Sequence, residues 1–219
     1  MVLDDLSSQR GERDQAANRA LVERCLATPG LIEQVAAGLG QASAAIIPDC
    51  AGVLTTVAKS RPDLVAPHAE RLVPLLHHKT SKVRWQAMQA LAQVAGHRPE
   101  LIAPLLPCLM ATVEADASII ARDKATDAIA AYAGTSPSAA HEATPYLIKI
   151  LPIANGRFAS RALHGLRLAV ISAPDLADQF APIADHYLDH HRGVARTAAH
   201  RLRRQIDTLR AGQATKALD

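Results

Sequence analysis

The sequence predicts an all-α protein, a right-handed superhelix of about five similar helix pairs. The first observation is that prolines suited to begin helices recur every 33 to 38 residues. They are Pro29, Pro62, Pro99, Pro137 and Pro174. The second is that residues 61–67 return almost unchanged as residues 98–104. Repeats of this length are typical of a solenoid, in which each repeat packs only against its neighbours.

The first helix of each pair is predicted to begin at its proline. The missing N–H of a proline costs nothing there, because the first N–H groups of a helix have no intrahelical acceptor. An acid follows the proline in three copies, as Asp63, Glu100 and Asp175. A negative charge at this end of a helix is favourable, because it opposes the positive end of the helix dipole.

The second helix of each pair carries apolar residues at offsets 0, 4, 7, 8 and 11, the pattern of one buried face. In the second copy they are Val83, Ala87, Ala90, Leu91 and Val94. Small residues at the middle offsets favour a close approach of neighbouring helices. In the fifth copy the offsets fall on Val194, Ala198, Arg201, Leu202 and Gln205. Because two of these are polar, the fifth copy is predicted to cap the array.

The predicted organisation has three parts. Residues 1–27 form an N-terminal tail and a capping helix, the helix running from Asp14 to Ala27. Residues 28–210 form the repeat domain, and residues 211–219 form a flexible C-terminal tail. The polar stretch 1–13 is interpreted as frayed.

Several residues of the central copies fit a known pattern. They are Leu75-Leu76, Val83-Arg84, Ala87 and Ala90-Leu91, then Asp116, Arg122, Ala125 and Ala128-Ile129. With these residues the chain resembles the HEAT-repeat family from about Thr28 to Leu209. The resemblance implies a ladder between an Asp in the turn and an Arg of the second helix. That ladder is incomplete, because Ala159 and Ala195 stand at the Arg positions of the last two copies.

HEAT proteins are mostly protein-binding scaffolds, so the resemblance implies a non-enzymatic scaffold that presents a concave face to a protein partner. The residues predicted to line that face are Trp85, Gln89, Asp123, Asp127, His164 and Arg167. A structural interpretation remains open for three of them: Trp85 could be half-packed between helices. The two aspartates could be solvated and paired with Lys124 or Arg122.

Nucleic-acid binding is the alternative hypothesis. A net charge of +3 does not by itself indicate such a partner, but arginines cluster near the C-terminal end. The residues predicted to contact an anionic partner there are Arg196, His200, Arg203 and Arg204. The HEAT-like alkylpurine DNA glycosylases carry a Trp followed four residues later by an Asp. Here Gln89 follows Trp85 at that spacing, which argues against glycosylase activity.

Other classes of function lack sequence support. No phosphate-binding loop, dinucleotide fingerprint or nucleophile elbow is present, so neither catalysis nor a cofactor is predicted. His186 and His190 are spaced so that they could share a metal ion. Because a metal site needs at least three ligands, no metal site is predicted. A module of a larger assembly is a third interpretation, with no specific residue in its favour.

The cellular setting is predicted from the cysteines and from hydropathy. Cys25, Cys50 and Cys108 are odd in number and far apart, which favours a reducing, cytoplasmic environment. No apolar run approaches the roughly 20 residues that span a bilayer, and no secretory signal is recognised. The oligomeric state is left open by the sequence.

Overall fold

The computed structural model describes residues 2–12, 14–41 and 45–216, and every regular element in these ranges is helical. In chain order the α-helices are α1 (Ala16–Ala27), α2 (Leu31–Ala37), α3 (Ile46–Ser60), α4 (Pro62–Val65), α5 (Ser81–Val94), α6 (Pro99–Ile102), α7 (Leu106–Ala115), α8 (Ile119–Ala133), α9 (Pro137–Ile150), α10 (Ile153–Gly156), α11 (Ala159–Ser172), α12 (Ala177–Tyr187) and α13 (Gly193–Lys216). Short 3₁₀ segments lie at Val2–Asp5, Gly38–Gly40, Ala66–His77, Ala103–Leu105 and Pro174–Leu176.

The helices form two layers. The inner layer is the series α1, α3, α5, α8, α11 and α13, in which each helix packs against the next. The outer layer contains α2, the segment 62–77, the segment 99–115, α9 and the segment 174–187, each packed against an inner helix. Within the described residues this is the predicted all-α superhelix of five helix pairs.

Four of the five repeat-marking prolines begin a helical segment, as the sequence predicts. They are Pro62, Pro99, Pro137 and Pro174. Pro29 instead lies in the turn before α2. The outer segments of the second and third repeats change from α to 3₁₀ geometry beside Pro67 and Pro104. A proline has no N–H with which to continue the α-helical hydrogen bonds.

Small residues allow the inner helices to approach closely. Gly165 of α11 faces α8 and α9, and a Cβ added to it would stand 2.9 Å from the Cβ of Ala130 and 2.7 Å from a methyl carbon of Leu147. Its stripe neighbours Ala162 and Ala169 are fully buried. The predicted close packing at the middle offsets is therefore present.

The N-terminal segment is not frayed, contrary to the prediction. Leu6 and Ser7 are fully buried. Ser7 and Asn18 exchange two hydrogen bonds, of 2.9 and 3.1 Å, between the main-chain N–H of one and the side-chain oxygen of the other. The N–H of Ser8 donates to Oδ2 of Asp49 at 2.8 Å. The segment folds back because its apolar residues can be buried against the first repeat.

The register of the last helix is shifted by one residue from the prediction. The buried residues of α13 are Ala195, Ala199, Leu202 and Ile206. Val194 is 67% exposed and Arg201 is exposed as well. The cap was predicted because Arg201 and Gln205 interrupt the expected buried stripe. Neither residue belongs to the stripe that is actually buried, so the reason for predicting a cap is wrong.

The C-terminal part is helical further than predicted. Helix α13 continues to Lys216, through most of the segment predicted to be a flexible tail. Residues 1, 13 and 217–219 of the two predicted tails lie outside the described residues.

One ladder contact implied by the HEAT resemblance is present in the middle of the array. Nε and Nη2 of Arg84 donate to the two carboxylate oxygens of Asp116, at 2.7 and 2.8 Å. The carboxylate also accepts the N–H of Ser118 at 2.7 Å. Chiefly through the hydrogen bonds from Arg84, the pKa of Asp116 lies below its ordinary value. Arg122 instead donates to the carbonyl oxygen of Val113 at 2.6 Å.

Replacing Gly165 with alanine should destabilise the fold by about 1–3 kcal/mol, because the new methyl group must displace α8 or α9. Chemical denaturation measures the change in the free energy of unfolding. Gly96→Ala is the matched control, since nothing lies within 4 Å of a Cβ there. Equal stability of the two variants would contradict the close packing.

Asp116→Asn should lower the free energy of unfolding by about 2 kcal/mol at neutral pH, because Arg84 loses a charged, two-point acceptor. The native pKa of Asp116 lies below its unfolded value. The stabilisation is therefore present above roughly pH 4 and is lost as the pH falls through the native pKa. Urea titrations at neutral and acidic pH measure both effects.

Asp63→Asn serves as the control, because Asp63 pairs with Arg61 at the exposed surface. Ion pairs at the exposed surface contribute little to stability, because solvent and salt screen them. A loss at Asp63 as large as that at Asp116, or no dependence of the Asp116 effect on pH, would refute the argument.

Candidate binding surface

Among the cavities formed by the described residues, one groove lies near each end of the inner layer. The N-terminal groove has a volume of about 530 Å³ and lies between α1, α3 and α5. The residues that matter most for its chemistry are Asn18, Val22, Thr56, Trp85, Gln86 and Gln89. Trp85 and Gln89, both predicted to face a partner, therefore lie in one groove. Each is half-buried, so the tryptophan ring is packed in part and accessible in part.

Gln86 also lines this groove, although the sequence pattern did not predict it as a contact residue. It is only 5% exposed, and its side-chain oxygen Oε1 has no hydrogen-bond partner among the described residues. Its main-chain carbonyl is satisfied by Oγ1 of Thr55, at 3.0 Å. A buried acceptor without a donor is costly, typically by about 1–3 kcal/mol. Because Oε1 has less than 1 Å² of exposed surface, a ligand N–H or O–H would remove that cost only if the Gln86 side chain turned toward the groove.

The acidic pair in the middle of the surface is neutralised from the next helix. Arg161 of α11 donates from Nε to Asp123 at 3.0 Å and from Nη1 to Asp127 at 2.5 Å. Lys124 adds a longer contact to Asp127, at 3.4 Å. Lys124 and Arg122 were the predicted ion-pair partners of the two aspartates, and Arg161 was not predicted. Arg122 lies with its guanidinium 4.8 Å from the centre of the Phe158 ring.

The C-terminal groove, of about 410 Å³, lies between α11 and α13. Its polar lining consists of Ser160, His164, Arg167, Thr197 and Arg201. A depression of about 280 Å³ adjoins it and is lined by Arg167, Arg201, Arg204, Gln205 and Thr208. His164 and Arg167, both predicted to face a partner, are thus brought together.

The residues predicted to contact an anionic partner are scattered. Arg203 turns toward the outer layer, where Nη1 donates to both carboxylate oxygens of Asp185 at 2.7 and 2.8 Å. Arg196 donates to the carbonyl oxygen of His190 at 2.8 Å, and His200 is exposed. Of the four, only Arg204 lines the basic depression.

Arg167, Arg201 and Arg204 have no ion-pair partner in the part of the chain that the structure describes. Burial lowers the pKa of His164, the charge of Arg167 and then of Arg201 lowers it further, and Asp127 acts in the opposite direction. The surroundings of His164 therefore disfavour the charged imidazolium form.

Among the described residues, no group of three or more His, Cys, Asp or Glu side chains is arranged to hold a metal ion. No helix in the described ranges is long and apolar enough to cross a membrane.

Solved structures with the same arrangement include designed repeat proteins. A designed armadillo repeat protein covers 94% of this chain and 100% of its own, with 15% identity and a TM-score of 0.69. The fold is an armadillo/HEAT-like α-solenoid. A computationally designed armadillo repeat protein for modular peptide recognition covers 93% of this chain and 98% of its own, with 16% identity and a TM-score of 0.67.

An engineered protein from a structural genomics consortium also has this solenoid fold. It covers 94% of this chain and 97% of its own, with 21% identity and a TM-score of 0.67. No protein-family model matches the sequence, and the curated proteins give no match. At these identities the likeness concerns the fold alone.

Arg167→Gln should raise the pKa of His164, because it removes a neighbouring positive charge that disfavours the imidazolium form. An NMR titration of the His164 ring protons measures the change, and in the unsubstituted protein the pKa should lie below the ordinary histidine value. Arg210→Gln is the control. Arg210 does not line this groove, and its Nη2 lies 2.6 Å from Oδ1 of Asp178. An unchanged His164 pKa in Arg167→Gln would show that the two side chains do not share the groove.

Proposed function

We propose that this protein is a non-enzymatic scaffold that binds an extended segment of a protein partner along its inner layer. The observation that carries the proposal is the N-terminal groove, where Trp85 lies beside the buried, unpaired amide oxygen of Gln86. The designed relatives in fold support it, since one of them is described as made for modular peptide recognition. Of the predicted contact residues, Trp85, Gln89, His164 and Arg167 are retained as contacts, and Asp123 and Asp127, which Arg161 neutralises, lie between them.

A peptide suits the chemistry of the N-terminal groove. A volume of about 530 Å³ is within the usual range of ligand pockets, roughly 300–1,000 Å³. The side-chain amide of Gln89 and the unpaired Oε1 of Gln86 are the groups offered to a peptide backbone. Trp85 and Val22 offer apolar contact to a side chain, and buried tryptophans are frequent hot spots of protein interfaces.

Nucleic-acid binding has less support. Of the residues predicted for it, Arg196 and Arg203 already donate to carbonyl and carboxylate groups of this chain. A duplex ligand needs several unengaged cations along its phosphate backbone. The proposed cytoplasmic setting is supported by the cysteines, all three of which are free thiols.

Peptide selection from a displayed random library, with the full chain as bait, tests the proposal. Because Trp85 is the single tryptophan, binding of a selected peptide should shift the tryptophan emission directly. Trp85→Ala should weaken binding of a labelled peptide by about 30-fold, the effect of losing about 2 kcal/mol at a hot spot. Ile171→Ala, at an apolar residue that is 46% exposed outside the grooves, should have no effect.

Gln86→Met gives a second readout in the same assay. This substitution replaces an amide whose buried oxygen is unpaired with an apolar group of similar size. It should therefore stabilise the free protein and weaken peptide binding. Selected peptides that bind Trp85→Ala and Gln86→Met as tightly as the unsubstituted protein would exclude the groove as the binding site.

A further inference from the structure

Three arginines converge where α11 and α13 meet. Arg167 lies on the C-terminal groove and on the adjoining basic depression, and Arg201 lines both as well. Arg204 completes the depression. None of the three has a carboxylate at ion-pair distance within the described part of the chain. Within the described residues, the one hydrogen bond donated by these guanidinium groups runs from Nε of Arg204 to the carbonyl oxygen of His200, at 3.4 Å.

The neighbouring arginines behave differently, because each is used within the fold. Arg192 donates to the carbonyl oxygen of Asn155 at 3.2 Å. Arg196 donates to main-chain carbonyl groups. Arg203 and Arg210 pair with aspartates of α12. The three arginines of the depression are thus a distinct, uncompensated group on the inner layer.

Gathering like charges without a counter-charge disfavours the folded state. A bound anion would reverse that effect, and a guanidinium group binds a carboxylate through two parallel hydrogen bonds. The adjoining C-terminal groove provides Ser160 and Thr197 as further polar contacts. The site therefore fits a carboxylate better than it fits any apolar group.

We propose that Arg167, Arg201 and Arg204 bind an acidic side chain of the partner segment. This inference rests on the proposed function, and it gives the segment a direction. Its apolar residue lies at Trp85 on α5, and its acidic residue lies at the α11–α13 end. Neighbouring helices are about 8–10 Å apart, so the two sites are separated by about 20–25 Å. An extended chain covers that distance in about seven residues.

An acidic peptide is favoured over a nucleic acid by the surroundings of the arginines. Asp123 and Asp127 lie next along the inner layer, and Asp207 lies on the same helix as Arg201. These carboxylates are already paired with arginines, so the unpaired positive charge is confined to one end of the inner layer, whereas a duplex needs several unengaged cations along its phosphate backbone. A groove of about 410 Å³ accommodates one or two side chains, which suits a local contact with a peptide.

Fluorescence anisotropy with a fluorescein-labelled hexaglutamate peptide and the full chain tests the inference. The double variant Arg201→Gln/Arg204→Gln should weaken binding by about tenfold or more, as expected for loss of charge-assisted contacts. The double variant Arg192→Gln/Arg210→Gln removes the same charge outside the groove and should change binding by less than about twofold. Hexaglutamine should not bind. Thermal unfolding of both double variants confirms that they are folded.

The inference is overturned if the two double variants weaken hexaglutamate equally, since net charge alone would then explain binding. It is also overturned if hexaglutamate fails to bind, or if a mixed-sequence DNA duplex depends on Arg201 and Arg204 while hexaglutamate does not. The outcome is separable from that of the proposed function. Library peptides can depend on Trp85 whether or not the arginines bind acids, and hexaglutamate can bind even if no peptide depends on Trp85.

Discussion

The close approach of successive inner helices is the constraint on which the rest of the structure depends. With aromatic residues at only 3% of the chain, large side chains cannot fill wide gaps between helices. The core instead uses alanine and glycine at the contacts, such as Ala128, Ala162 and Gly165, with leucine, valine and isoleucine around them. Such interiors are close-packed, so added volume must be accommodated by moving a helix.

Close packing also decides which polar residues find partners. Offset 3 of the second helix is polar in the first four repeats, as Asp49, Gln86, Lys124 and Arg161. Asp49 is satisfied by the N-terminal segment, and Arg161 by the aspartates of the preceding inner helix. At Gln86 the same position leaves an acceptor unpaired. The candidate groove thus lies at the repeat in which the polar residue of this position has an unpaired side-chain oxygen.

The sequence predicts the period, the helix pairs and four of the five proline starts, because each depends on local residues. It does not predict the place of the N-terminal segment, whose burial requires hydrogen bonds to residues such as Asn18 and Asp49. It also places α13 one residue out of register. Val194 is more apolar than Ala195, so the pattern favours the wrong stripe. Contact with α11 and α12 selects the smaller side chain, Ala195, for the buried face.

That one-residue error explains why Arg201 was not predicted as a binding residue. Once it is assigned to the surface, the polar groups of the inner layer fall into three parts with different electrostatic states. The middle is neutralised internally by Arg161, and a partner gains little by contacting charges that are already paired. At the two ends, the unpaired amide of Gln86 and the unpaired guanidinium groups around Arg201 gain new partners on binding. Affinity and orientation should therefore be determined at the ends of the surface, with the middle acting as a spacer of fixed length.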